Sequence, residues 1–152
     1  MNAAVGSSLA SAAVVVRRTI AAPPEDIFDA WLDPEALAEW MRPGTIRSTV
    51  ATVEPRVGGR YHIVMKGDSG TITPHSGVYR VIDRPRKLVF TWQSPHTGPD
   101  ETLVTVDFVK AGKSTEVVVT HEKLPEEARA SHTRGWTSGL EHLDEACQEQ
   151  RI

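Results

Sequence analysis

Cys147 is the only cysteine in this chain of 152 residues. An intramolecular disulfide is therefore impossible, and a cysteine-built zinc site would have too few ligands. Positive charge is neither abundant nor clustered. The formal net charge is −3, and binding along a phosphate backbone needs a concentrated basic face. No nucleic-acid partner is expected. Nor does any run approach the roughly 20 apolar residues of a membrane span, so no membrane association is expected. Met1 to Ala13 is rich in Ala and Ser and lacks the basic start and apolar stretch of a secretory signal. It reads as a flexible tail on a cytoplasmic protein, ahead of a single domain over residues 14–150.

Several kinds of chemistry are missing as well. His62, His75, His96, His121, His132 and His142 show no local pairing at ligand spacing, and nothing resembles His-Glu-x-x-His. No metal or cofactor is expected. The serines have no flanking elbow motif, so no catalytic nucleophile stands out. Gly112-Lys113-Ser114-Thr115 echoes the end of a phosphate-binding loop, but Asp107 stands where that loop needs its first glycine. The segment also joins two strands, so it reads as a hairpin turn.

What is present is periodicity. Val14 to Ile20 is a β-branched run suited to a strand. Ala21-Ala22-Pro23-Pro24 breaks it, and Glu25-Asp26 supplies the acidic first turn of a helix whose apolar face is Ile27, Phe28, Trp31 and Leu32. Asp33-Pro34 stops that helix and caps a second one, carrying Leu37, Trp40 and Met41. Six strands follow, at Ile46–Glu54, Arg60–Lys66, Pro74–Asp83, Lys87–Gln93, Glu101–Val109 and Thr115–Lys123. Their separators are too short for parallel crossovers, so an antiparallel meander is expected.

Alternation assigns the faces. Tyr61, Ile63 and Met65 share one parity, as do Leu88, Phe90 and Trp92, then Val104, Val106 and Phe108, then Val117, Val119 and His121. One face of the sheet is thus large and aromatic and needs a cover. Pro125-Glu126-Glu127 starts a proline-free helix of roughly 24 residues and ~36 Å, with His132, Trp136, Leu140, Leu143 and Cys147 on one stripe. Gly135 and Gly139 flank Trp136, each at a cost of ~1 kcal/mol relative to Ala. Close approach of another backbone would explain them; an exposed, tolerant side would serve equally. Cys147 reads as a packed thiol.

In this order the pieces resemble a known family. Ala22-Pro23-Pro24-Glu25-Asp26-Ile27-Phe28-Asp29-Ala30-Trp31, with Asp33-Pro34, Leu37 and Trp40, is similar to its opening helical signature. Val57-Gly58-Gly59-Arg60-Tyr61, Gly77-Val78-Tyr79 and Pro85-Arg86-Lys87-Leu88-Val89-Phe90-Thr91-Trp92 resemble its strands. Thr120-His121-Glu122 and Gly135-Trp136-Thr137-Ser138-Gly139-Leu140 complete the likeness, over roughly residues 14 to 150. The family is the Hsp90-ATPase-activator-like (AHSA1-like) group of the START/Bet v 1 helix-grip superfamily. The resemblance implies an α+β helix-grip fold: a seven-stranded curved antiparallel sheet, two short helices after strand one and a long C-terminal helix, with a pocket between sheet and helix. It does not by itself imply chaperone activation, because the eukaryotic activators carry a further N-terminal domain. An Hsp90-type partner is not supported by this chain alone.

The candidate site is that pocket. Trp40, Met41, Tyr61, Met65, Phe90, Trp92, Phe108, Trp136 and Leu140 are the candidate apolar ligand-binding residues, unless they fill one another's space as a solid core. Tyr61, Tyr79, His121 and His132 are the polar candidates, with the two histidines placed to meet across the sheet–helix seam. Either could bond a ligand or move a proton; either could equally be tied to a backbone carbonyl. No catalytic residue is assigned. Three functions follow: binding of a small hydrophobic molecule, an enzyme of cyclase or hydrolase type working in the pocket, or a stress-related protein-interaction role. A homodimer through the sheet edges is left open.

Overall fold

The computed structural model describes residues 13–149. The N-terminal tail, apart from Ala13, lies outside the described residues. Strand β1 (Val14–Ile20) is followed by helices α1 (Pro24–Ala30) and α2 (Pro34–Trp40). Strands β2 (Ile46–Val53), β3 (Arg60–Gly67), β4 (Ile72–Asp83), β5 (Lys87–Trp92), β6 (Thr102–Ala111) and β7 (Ser114–Glu122) come next, then helix α3 (Glu126–Gln148).

All seven strands form one antiparallel sheet in the order β1-β7-β6-β5-β4-β3-β2. Strands β2 to β7 are the expected meander. The chain's first strand closes the far edge by pairing with its last, Val14 opposite His121 and Ile20 opposite Thr115. The β6–β7 turn is made by Gly112 at φ 64, a conformation glycine adopts without penalty. The phosphate-loop echo is thus a hairpin.

The corner between α1 and α2 is built locally. Proline opens each helix where its missing N–H costs nothing. The Asp33 carboxylate accepts the Glu35 N–H at 3.0 Å and so caps α2. Trp40, fully buried, donates its indole N–H to the Ala30 carbonyl at 3.0 Å and ties the end of α2 to the end of α1.

α3 has 23 residues and so runs about 35 Å. It buries Trp136, Gly139, Leu140, Leu143 and Ala146, and packs mainly on β1 and α2. Arg18 of β1 donates to Asp144 of α3 at 2.8 Å. At mid-helix the Gly44 N–H donates to the Ser138 hydroxyl at 3.1 Å. No described helix is long and apolar enough to cross a membrane.

Between the layers the aromatic face divides into two zones. At one end Phe28 meets Phe108 edge-on at 5.1 Å, and Trp31 leans on Phe90 and Phe108, each at 6.3 Å. This end is solid. Toward the N-terminal half of α3 the layers part.

Candidate ligand cavity

The gap between the layers is a cavity of about 440 Å³, within the range of small-molecule sites. Its inner wall is Trp40, Met41, Met65, Trp92 and Trp136. The lip is formed by Pro43, Gly44, Thr45 and Ile46 after α2. Thr73, His75, His96, His132 and Arg134 add polar groups, and Gly135 and Gly139 leave the α3 side of the wall low.

Of the residues expected from sequence, Trp40, Met41, Met65, Trp92, His132 and Trp136 line this space. Tyr61, Phe90, Phe108, His121 and Leu140 do not. Phe108 and Leu140 belong to the packed core. Tyr61 and Phe90 border a residual gap of about 10 Å³, no more than a single water would fill. The Tyr61 hydroxyl donates to the Thr91 carbonyl at 2.6 Å, and Gly77 opposite is where its ring lies. Tyr61 is therefore a structural tie: it occupies a carbonyl at a site where the β4–β5 register shifts between Tyr79 and Val81. Burial, and Tyr79 beside it, push its phenol well above the usual range. Tyr79, also in the core, is raised by burial.

His121 and His132 do meet, with ring centroids 5.3 Å apart and nearly perpendicular. Their roles differ. The fully buried His121 joins strand to helix through a chain whose donors can be assigned. The Trp136 indole N–H can only donate, so His121 Nδ1 accepts it at 3.0 Å. Nε2 then carries the proton and donates to the Thr102 hydroxyl at 2.7 Å, which donates to the Trp92 carbonyl at 2.6 Å. Both nitrogens are used, and the ring is necessarily neutral. Burial, reinforced by His132, holds its pKa down to about 3. His121 is a clasp behind the cavity wall.

His132 sits on the wall itself. Its Nδ1 lies 2.8 Å from the Ala128 carbonyl, one turn back on α3. A carbonyl only accepts, so Nδ1 carries the proton and Nε2 is a bare acceptor. Burial lowers its pKa too.

His75 is the residue that sequence reasoning missed. It is 7% exposed, stacks obliquely on Trp92 at 4.8 Å, and has its pKa lowered to about 4, chiefly by burial and then by His132 and His96. Its Nδ1 is buried with no hydrogen-bond partner. The signal was available, because His75 lies within the expected strand Pro74–Asp83 and shares the face of Tyr79; faces were assigned to the neighbouring strands but not to this one.

The close approach expected at Gly135 and Gly139 is of a different kind. A Cβ there would stand 3.6 Å from the Pro43 side chain and 3.8 Å from the Trp40 ring, both ordinary contacts and neither with backbone. Among the described residues no three His, Cys, Asp or Glu side chains are grouped to hold a metal ion. The packed-thiol reading suits Cys147, half-buried with its thiol pushed up to about 11 by burial and by Asp144.

Comparison with known proteins supports the same architecture. A protein of Chromobacterium violaceum superposes with a TM-score of 0.79 at 24% identity, over 88% of this chain and 95% of that one. One from Rhodobacter sphaeroides gives 0.80 at 23%, over 92% and 94%. The solution structure of an Arthrobacter aurescens protein gives 0.82 at 21%, over 93% and 88%. At such identities these likenesses show the helix-grip fold alone. No curated protein matches. The family model described as "Activator of Hsp90 ATPase homolog 1-like protein" matches residues 21–148, and the chain belongs to that family.

Proposed function

We propose that this AHSA1-like domain binds a small hydrophobic molecule in the cavity between the sheet and α3. The observation that carries the reading is the unfilled space itself. Trp40, Trp92 and Trp136, with Met41 and Met65, are packed on one another and on Trp31, yet a space of about 440 Å³ stays open against their outer side, beneath the Pro43–Ile46 lip and α3. A two-ring aromatic burying about 200 Å² there gains about 5 kcal/mol at ~25 cal/mol per Å². That corresponds to a Kd on the order of 0.1 mM before specific polar contacts are added.

Titration with the neutral dye Nile red, with native mass spectrometry of the purified protein, tests this. Saturable binding is expected, and loss of it in Gly135→Leu, which adds bulk at the cavity while improving helix propensity. A folded wild-type protein that neither binds the dye nor carries a ligand would reject the proposal. A second reading, a pocket enzyme, draws on His75 and His132: both line the cavity and both have lowered pKa values. It requires a bound molecule recovered chemically changed; recovery intact after long incubation counts against it.

A further inference from the structure

We infer that the cavity takes an amphiphilic organic acid, its apolar part against the tryptophan and methionine wall and its carboxylate at the rim beside Arg134. This rests on the cavity being a ligand site and adds the charge of the ligand. The lining changes character with depth. Trp40, Met41, Met65, Trp92 and Trp136 are buried, whereas Thr45, His96, Ser131 and Arg134 are exposed. An occupant with one apolar and one polar end matches such a gradient better than one that is apolar throughout.

The sign of the polar end follows from the charges at the rim. The chain has 20 acidic residues against 17 Lys and Arg, yet among the described residues no Asp or Glu lines the cavity and one guanidinium does. At long range the net charge of −3 opposes an anion, so a preference for one must be made locally. His75 and His132, whose pKa values burial lowers, add no charge near neutral pH. Arg134 is charged throughout. It stands one turn from Ser131 and one turn from Ser138, whose hydroxyl accepts from Gly44 of the lip, so it flanks the opening. The Ser131 hydroxyl donates to the Ala128 carbonyl at 3.0 Å, which leaves Arg134 as the donor on that edge. Arg134 has no ion pair or hydrogen bond among the described residues. Its guanidinium is free to hold a carboxylate in two parallel bonds. An ammonium group would find no acid to meet.

Three probes of similar bulk separate the possibilities: 2-naphthoate, the neutral 2-naphthamide and the cation 2-naphthylmethylammonium, each displacing Nile red from the full chain near neutral pH. Naphthoate is expected to bind about two- to fivefold tighter than the amide, the worth of one solvent-exposed ion pair, with the ammonium weakest. Raising NaCl from about 20 mM to about 0.5 M should shrink that preference below about twofold. Arg134→Gln should abolish it while affinity for the amide is kept, and Arg134→Glu should put the ammonium above naphthoate. Position 134 is exposed, so both variants should fold with a near wild-type melting temperature. Lys113→Gln, an equal change of net charge in the exposed β6–β7 turn, should leave the order of the probes as it is in the wild type. Amide or ammonium binding as tightly as naphthoate, or Nile red that naphthoate fails to displace, overturns the inference and leaves the cavity reading standing. A full preference in Arg134→Gln, or one lost equally in Lys113→Gln, overturns the assignment to Arg134. If neither the dye nor any of the three probes binds, the cavity reading itself has failed.

Discussion

Because His121 must be neutral to accept from Trp136, mild acid should loosen the grip of the sheet on its helix. The imidazole has a pKa near 6.5 in the unfolded chain and about 3 in the fold. Between those values the unfolded chain binds a proton that the folded chain does not. Stability is therefore complete above the unfolded pKa and is lost as pH falls toward the folded one. From about pH 7 to about pH 5 the unfolded ring gains most of a proton, so the loss from His121 alone is roughly 2 kcal/mol. His75, held at about 4, adds a loss of similar size in the same window. For a domain of ordinary stability, 5–15 kcal/mol, this is a large fraction.

The assay is urea unfolding at the two pH values in wild type and His121→Gln. Gln supplies a donor and an acceptor but does not titrate. The variant is expected to start lower, because its reach differs from that of the ring, but to lose roughly 2 kcal/mol less than wild type on acidification. His121→Leu tests the clasp at neutral pH. It strands the Trp136 N–H, at a cost of about 1–3 kcal/mol, and the double variant with Trp136→Phe should cost less than the sum of the singles by about 1 kcal/mol. Identical acid sensitivity in wild type and His121→Gln would refute the reasoning, because burial of a neutral ring cannot occur without that linkage.

Other expectations follow from single contacts. Gly77→Ala would place a Cβ against the Thr91 carbonyl and within 2.7 Å of the Tyr61 hydroxyl; it should destabilise by several kcal/mol or prevent folding, as read by soluble yield and melting temperature. Tyr61→Phe removes only the hydroxyl bond to that carbonyl and should cost about 1–2 kcal/mol in urea unfolding. Gly139→Ala, with its Cβ in ordinary contact with Trp40, should be neutral or raise stability by up to about 1 kcal/mol, seen as a higher melting temperature. The Cys147 thiol, half-buried and pushed up to about 11, should be alkylated by iodoacetamide far more slowly near neutral pH than in the unfolded chain; equal rates would show that it is freely exposed.

Much of the architecture was legible because its determinants are local. Two inner faces alternate cleanly: Tyr61, Ile63 and Met65 in β3, and Val104, Val106 and Phe108 in β6, are all buried. Asp33 and the paired prolines announced the α1–α2 corner. The pairing of β1 with β7 was not legible, since no local pattern records which distant edge a strand will cover. The resemblance implied the layout but not the register.

The site was less legible for a physical reason. Parity tells which side of a sheet a residue faces; it does not tell how far the opposing layer stands from it. Phe90 and Trp92 share a face of β5, two residues apart, and both are buried, yet only Trp92 borders the cavity. What decides between them is the partner layer. At the filled end, Phe28 of α1 and Trp31, at its C-cap, reach into the sheet. At the open end, α3 presents Gly135 and Gly139, which have nothing to send. The contact distances there would admit a methyl group, so the glycines are not needed for close packing. They keep the wall bare beside Pro43 and Trp40, and the cavity is as much a product of these two missing side chains as of the aromatic residues around it.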